Sequence, residues 1–285
     1  MEREFKEKLL QFVDEAIKED VGPGDFTTLS TIAPEKQGEA QLLVKESGII
    51  AGIEVAKEIF LAIDPTVQLE ILLKDGDQVQ YGDIAFRMKG AIHTILKGER
   101  LVLNVMQRMS GIATQTAKYV AAIAGTKTRV LDTRKTTPLL RFLEKRAVEL
   151  GGGVNHRFAL YDMILIKDNH VDYAGGIRQA VQAALQYKQD HQLHIPIEVE
   201  VRNFDELKEV IAIGKVDRVM FDNFTPAQVE EAVALVNGQL VTEASGGITL
   251  DTIADYAHAG VDFISVGALT HSVKSLDLSL KAKLI

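Results

Sequence analysis

The sequence predicts an α/β protein whose second part is a parallel α/β barrel, and two observations predict it. After Gly125, a short apolar run ending in polar residues is followed by a helical pattern, and the pair recurs. The runs are Val130-Leu131, Met163 to Ile166, Ile195 to Val201, Val216 to Phe221, Leu240-Val241 and Val261 to Val266. Their spacing of roughly 20 to 35 residues is that of βα units. The second observation is the absence of Gly-x-Gly-x-x-Gly after the first run. This weakens the dinucleotide-binding doubly wound sheet and favours the barrel.

The elements ahead of the barrel differ in style. Phe5, Leu9, Leu10, Phe12, Val13, Ala16 and Ile17 recur at helical spacing, which predicts an opening helix. Gly22-Pro-Gly-Asp25 breaks it. Gln41 to Val44, Val67 to Leu73 and Ile84 to Met88 read as strands, separated by Asp75-Gly-Asp77 and Tyr81-Gly-Asp83. A long helix is expected from about Gly98 to Ala124, with Leu101, Val105, Met109, Ile112 and Thr116 on one face. Leu276 to Ile285 are expected to return to the first domain. The expected division is 1–112, joined by about 272–285, and 113–271.

Composition narrows the function. The 285 residues are 46% hydrophobic and 25% charged, an ordinary globular balance with enough apolar side chains for a sizeable core. No apolar run approaches the ~18 residues of a membrane span, and the charged start Met1-Glu2-Arg3-Glu4 is not a signal peptide. With no cysteine, thiolate catalysis and disulfides are excluded, and a cytoplasmic location is expected. A net charge of −8 argues against a nucleic-acid partner. It leaves room for small anions held by a local cluster of cations.

Barrel active sites lie at the carboxyl ends of the strands. The polar residues there are Asp132 to Thr136, Lys167 to His170, Glu198 and Glu200, Asp222-Asn223, Glu243 to Gly247, and Val266-Gly267-Ala268, with Gly151 to Arg157 preceding the second strand. Taken singly, most have plain explanations. Arg134 and Lys135 make a solvated turn, His156 caps a loop, and Asp222-Asn223 caps a helix before Pro226. Glu198 and Glu200 are harder to explain away. Strand side chains alternate, so the two glutamates share one face and Ile197, Val199 and Val201 the other. If the apolar face packs on helices, two carboxylates enter the barrel, where each costs several kcal/mol unless paired. Arg100 is a second misfit, a cation expected in the first turn of the long helix. Ser245-Gly-Gly-Ile-Thr249 offers backbone N–H groups to a phosphate, and Gly267 follows on the adjacent unit.

Asp132-Thr-Arg-Lys-Thr136, Gly151-Gly-Gly-Val-Asn-His-Arg157, Ile166-Lys-Asp-Asn-His170, Glu198-Val-Glu-Val201 and Val266-Gly-Ala-Leu-Thr-His271, in this order, resemble quinolinate phosphoribosyltransferase. The likeness extends to Glu19 through Thr27 and Glu99-Arg100 through Ala113. The resemblance implies an N-terminal α/β sandwich, an incomplete C-terminal barrel and a homodimer in which each sandwich covers the partner's barrel mouth. It implies transfer of phosphoribose from phosphoribosyl pyrophosphate to quinolinate with loss of CO2, requiring Mg²⁺. By motif match Thr133, Arg134, Lys135, His156, Arg157 and Lys167 would line the substrate pocket, and Arg100 would come from the partner chain. Glu200 and Asp222 would face the ribose and the substrate-bound metal. Ser245, Gly246, Gly247, Val266, Gly267 and Ala268 would hold the 5-phosphate, and Lys135, Glu200 and Asp222 would be catalytic.

The chemistry suits these residue types. Arginine forks clamp carboxylates in pairs. The pyridine nitrogen is itself the nucleophile, so no general base is required. Two other readings use the same residues: a Schiff-base lysine at Lys135 or Lys167, and a non-catalytic phosphoribosyl-binding barrel.

Overall fold

A computed structural model describes residues 2–283. The first elements are α1 (Arg3–Val21), α2 (Phe26–Thr31), β1 (Gln37–Val44), β2 (Gly48–Ile49), α3 (Ile53–Ile63), β3 (Gln68–Ile71), β4 (Gln78–Val79), β5 (Ile84–Ala91) and α4 (Ile92–Ala122). The next are β6 (Arg129–Leu131), α5 (Arg141–Leu150), β7 (Ile164–Ile166), α6 (Asp168–Ala174), α7 (Ile177–Asp190), β8 (Ile197–Val201) and α8 (Phe204–Ile213). The last are β9 (Arg218–Asp222), α9 (Pro226–Val236), β10 (Val241–Ser245), α10 (Ile253–His258), β11 (Phe263–Ser265), α11 (Ala268–His271) and β12 (Leu278–Lys283). The chain divides into two compact units. Among the described residues, one comprises 2–115, 142–151 and 273–283; the other comprises 116–141 and 152–272.

In the first unit an antiparallel sheet runs β12–β1–β5–β3. Leu42, Val44, Phe86 and Met88 are buried, as are Ile59 and Phe60 of α3. The Phe60 ring meets Phe86 edge-on at 6.4 Å. β12 pairs with β1, which brings Leu278–Lys283 back to this sheet; Leu284 and Ile285 of the expected returning segment lie outside the described residues. A segment inside the expected barrel span, Phe142–Gly151, also belongs here. Its Glu144, 1% exposed, takes Arg108 Nε and Nη2 on Oε1 at 3.1 and 2.9 Å. Phe142 lies against Phe5 and Phe12 of α1 at 5.3 and 6.2 Å between ring centroids.

The long helix α4 begins at Ile92, ahead of the expected start near Gly98. β5 runs into it with no glycine, proline or capping residue between them, so local sequence carries no start signal. Arg100 therefore lies in its third turn, beyond the reach of the helix dipole, and the expected conflict of charge does not arise.

The second unit holds six parallel strands in the order β6–β11–β10–β9–β8–β7. Chain order runs unbroken from β7 to β11, and the last strand then pairs back onto the first, Phe263 beside Arg129 and Ser265 beside Leu131. A doubly wound sheet reverses its order at a switch point. A sheet whose last strand meets its first is curling closed. The ring stops short of completion: among the described residues no pairing joins β6 to β7, and the free side of β6 carries an isolated bridge from Leu131 to Val154, in the segment between α5 and β7. This is an incomplete parallel barrel.

Alternation sorts the strand residues. Ile197, Val199, Val201, Val219, Phe221, Ala244 and Ile264 are fully buried. They form one face, over which α8, α9 and α10 bring Leu207, Val210, Val229, Ala232 and Ile253, also fully buried. Glu198, Glu200, Arg218, Met220, Asp222, Glu243 and Ser245 take the opposite, inward face through the register of β8, β9 and β10. The fifth strand corrects the sequence reading. β10 runs to Ser245, so Glu243 stands within it at 0% exposure instead of at a polar strand end. The apolar run stops at Val241, and the pairing with β9 and β11 carries the strand through Thr242 and Glu243.

Candidate active site

At the carboxyl end of the barrel the side chains just past or at the strand ends converge. Lys167 follows β7 and donates from Nζ to Glu200 Oε2 at 2.9 Å. The Glu200 side chain is 7% exposed and that of Lys167 46%. Asp222 closes β9 and is half-buried, and its Oδ2 accepts from Asn223 Nδ2 at 2.8 Å. Capping of the following helix falls to Thr225, whose hydroxyl accepts from Gln228 N–H, with Pro226 in the first turn. The Asp222 carboxylate is thus not spent on the helix.

After β6, Thr133 Oγ1 accepts from the Lys135 N–H at 3.0 Å, which sets the turn bearing Arg134 and Lys135, both exposed. Thr270 pins the same turn, donating from its hydroxyl to the Lys135 carbonyl at 2.8 Å. Arg157 is half-buried and donates from Nη1 to the Met163 carbonyl at 3.1 Å. Burial, and next the nearby Arg134 charge, pull the Arg157 guanidinium below its ordinary range, against Glu198 and Asp162. A partly desolvated guanidinium on the same side of the barrel as other cations is a group that an anion would relieve.

The glycine turn after β10 explains its own composition. Gly246 has φ +102°, and a Cβ there would collide with the Asn223 carboxamide. Gly247 has φ +63°. The N–H groups of Gly246, Gly247, Gly267 and Ala268 donate to no acceptor among the described residues, the arrangement of a phosphate cradle. Val266 departs from its expected role. Its side chain is 1% exposed and its N–H is taken by the Leu131 carbonyl at 2.9 Å, because it extends the pairing of β11 with β6. Two residues given no site role from sequence belong here. Asn223 (φ +56°) links Asp222 to Gly246. His271 Nε2 and Lys135 Cδ stand 3.0 and 3.1 Å from where a Gly267 Cβ would be. The signal for His271 was its place at the end of the Val266–His271 motif.

His156 also departs from the expected pocket lining. It is 9% exposed, its N–H donates to Asp132 Oδ1 at 2.8 Å, and its Nδ1 accepts the Arg157 N–H at 2.7 Å. Nε2 lies 3.0 Å from Glu198 Oε2 and 3.5 Å from Glu243 Oε2, inside the barrel. Burial pushes the Glu198 carboxyl up to about 7, and the Glu243 charge adds to it. Burial alone would raise Glu243 as well, but His156 and Arg218 outweigh it and hold that carboxyl low. Burial lowers the ring's affinity for a second proton; the two carboxylates more than reverse this, toward about 9. That proton would have to sit on Nδ1, facing the Arg157 N–H. The geometry therefore places the ring proton on Nε2, toward the two glutamates, and leaves Nδ1 as the acceptor of the Arg157 N–H.

The opposite end of the barrel carries a groove lined by Lys127, Asp217, Gly238 and Asp262. Its charges are spent internally: Lys127 pairs with Asp262 at 2.9 Å, and Asp217 accepts the Ile197 N–H at 2.7 Å. It offers no chemistry comparable to the mouth. Arg100 lies in the other unit, on α4, and is exposed.

Residues 112–281 match the model of the quinolinate phosphoribosyl transferase C-terminal domain, and residues 25–110 match that of its N-terminal domain. The chain belongs to the quinolinate phosphoribosyltransferase family. Among curated members, it is 44% identical over 277 residues to the probable nicotinate-nucleotide pyrophosphorylase [carboxylating] of Bacillus subtilis, covering 97% of this chain and 94% of the relative. It is 45% identical over 281 residues to quinolinate phosphoribosyltransferase [decarboxylating] 1b of Nicotiana tabacum, covering 93% and 80%. The solved nicotinate-nucleotide pyrophosphorylase of Francisella tularensis superposes with a TM-score of 0.91 at 40% identity, covering 98% of this chain and 97% of that one. NadC from Streptococcus pyogenes gives 0.91 at 38% identity, covering 96% of each.

Proposed function

We propose that the barrel mouth is where this quinolinate phosphoribosyltransferase joins its two substrates, with Mg²⁺ bound and a second copy of the chain supplying Arg100. The enzyme transfers phosphoribose from phosphoribosyl pyrophosphate to quinolinate with decarboxylation, giving nicotinate mononucleotide, pyrophosphate and CO2 in NAD biosynthesis. The observation that carries the assignment of the site is the convergence at one barrel mouth of exposed Arg134 and Lys135, half-buried Arg157, the Lys167–Glu200 pair and the glycine turn with its open N–H groups.

Quinolinate brings two carboxylates, and Arg134 and Arg157 provide planar forks to receive them. Thr133 shapes the turn that aims Arg134 and Lys135. The pyridine nitrogen attacks C1 of the ribose with its own lone pair as the pyrophosphate bond breaks, so the site needs positioning and charge stabilisation, not a base. Lys167, held by Glu200, faces the negative charge that develops on the leaving group. Ser245, Gly246, Gly247, Gly267 and Ala268 receive the 5-phosphate through backbone N–H groups and the Ser245 hydroxyl.

Glu200 and Asp222 end neighbouring strands, and two hard carboxylates beside a phosphate cradle are a donor set that Mg²⁺ accepts. They would hold the ion through water and substrate oxygens. When bound, it shields the charge of pyrophosphate. Once alkylated, the ring nitrogen is cationic and stabilises the carbanion left as CO2 departs. Lys135 then delivers the proton to that carbon.

The charged mouth and the lack of any described helix long and apolar enough to cross a membrane support work in an aqueous compartment, for which the cytoplasm is our reading. The test incubates the protein with quinolinate, phosphoribosyl pyrophosphate and Mg²⁺ and follows both products. Equal yields of nicotinate mononucleotide and CO2, abolished by Arg134→Ala and by EDTA, are expected. Full activity in Arg134→Ala would remove the mouth as the site; full activity in EDTA would remove the metal.

A further inference from the structure

Beneath the mouth lies a charged cluster that substrate binding does not explain. Glu198 on β8 and Glu243 on β10 are both 0% exposed. Apolar side chains dominate the interior layers of such barrels, and replacing a buried ion cluster by packed apolar residues is often neutral or stabilising. Stability alone does not call for two carboxylates here.

Their contacts point to one target. Arg218 Nη1 donates to Glu243 Oε2 at 2.9 Å. The same oxygen and Glu198 Oε2 flank His156 Nε2 at 3.5 and 3.0 Å. The far side of the ring accepts the Arg157 N–H at 2.7 Å, and the Arg157 guanidinium is tied to the Met163 carbonyl. A continuous line of polar contacts runs from Arg218, at the start of β9, to the arginine at the mouth.

The three residues His156, Glu198 and Glu243 bring their ligand atoms close enough together for a metal ion, but two contacts oppose one. A histidine that binds metal through Nε2 ordinarily donates its other N–H to an acceptor. Here Nδ1 is the acceptor, and Arg218 already neutralises Glu243. The cluster is built to fix a tautomer: carboxylates around Nε2 keep the proton there and leave Nδ1 bare for the Arg157 amide.

We infer that Glu198 and Glu243 are positioning residues for quinolinate binding, acting through the tautomer and orientation of His156 on the backbone, and hence the guanidinium, of Arg157. The inference rests on the reading that Arg157 clamps a quinolinate carboxylate. Neither glutamate touches substrate.

The test compares Glu243→Gln, Glu243→Asp, Arg157→Ala and the double variant Glu243→Gln/Arg157→Ala in the full-length enzyme. Steady-state kinetics are followed for each substrate in turn. Substituting groups that orient a first contact commonly costs about 10- to 100-fold. Glu243→Gln is expected to raise the KM for quinolinate by about tenfold. The KM for phosphoribosyl pyrophosphate should stay within about twofold, and Glu243→Asp should recover part of the loss. In the double variant, Glu243→Gln should add nothing to the effect of Arg157→Ala, the signature of two residues acting as one. Additive effects, or equal loss toward both substrates, would overturn the positioning role while leaving Arg157 as the clamp. An unchanged quinolinate KM in Arg157→Ala would instead sink the reading of the clamp, and the inference with it. Should Glu243→Gln fail to fold, Glu198→Gln enters the same cycle with the same expectations.

Discussion

Lys167 Nζ and Glu200 Oε2 meet at 2.9 Å across β7 and β8, with the glutamate almost wholly buried and the lysine half-exposed. The asymmetry separates the lysine's two contributions. Its share of stability is screened by solvent, of the order of 1 kcal/mol. Its proposed share of catalysis, as a preorganised charge facing the leaving group, is larger: removing one such group costs about 10²- to 10³-fold in kcat. Lys167→Met should therefore lower kcat by about two orders of magnitude while thermal denaturation shifts by only a few degrees. A large loss of melting temperature with kcat preserved would make the pair structural.

Gly246 is held at φ +102°, with the Asn223 carboxamide where a side chain would begin. Gly246→Ala adds backbone strain of about 1 to 3 kcal/mol and pushes Asn223 away from Asp222 Oδ2, which it now reaches at 2.8 Å. The expected outcome is a higher KM for phosphoribosyl pyrophosphate than for quinolinate, because the turn serves the phosphate. Steady-state kinetics with each substrate varied in turn would read it. Equal weakening of both would mean that the turn does not belong to the phosphate alone.

Asp64 follows α3 and accepts the Thr66 hydroxyl and N–H at 2.6 and 2.9 Å and the Thr94 hydroxyl at 3.0 Å. These bonds, the Thr66 hydroxyl first, hold its carboxyl below the ordinary 3.8. A depressed carboxylate contributes stability above its unfolded pKa and loses it as pH falls through the folded value. Asp64→Asn should then melt below wild type at pH 7, with the gap closing below pH 3.8. A gap that is constant with pH would show that the charge on Asp64 contributes nothing.

Much of this architecture was legible before any coordinates. Alternation alone placed Glu198 and Glu200 on one face, and polar strand ends located Asp132 to Thr136, Lys167, Asp222 and the Ser245 turn. What stayed hidden depends on contacts distant in sequence. Glu243 looks like a strand end because Thr242 and Glu243 break the apolar run, and only the neighbouring β9 and β11 reveal the strand. Phe142–Gly151 joins the first unit through Arg108 and Phe5, far along the chain. His156 was visible in the Gly151–Arg157 motif but its direction was not: which nitrogen faces Glu198 and which faces Arg157 is decided by the fold of 154–157 onto Asp132.

The proposed sharing of Arg100 between copies has a quantitative consequence. Arg100→Ala and Arg134→Ala should each be inactive as pure proteins. Mixed and reassembled at equal amounts, half of the dimers carry one chain of each kind. In those, one barrel has its own Arg134 and receives an intact Arg100, while the other lacks both. Activity should therefore return to about a quarter of wild type. Recovery near that level requires a site built from two chains. No recovery, with native mass spectrometry of differently tagged chains showing that mixed dimers do form, would return Arg100 to the chain that carries it.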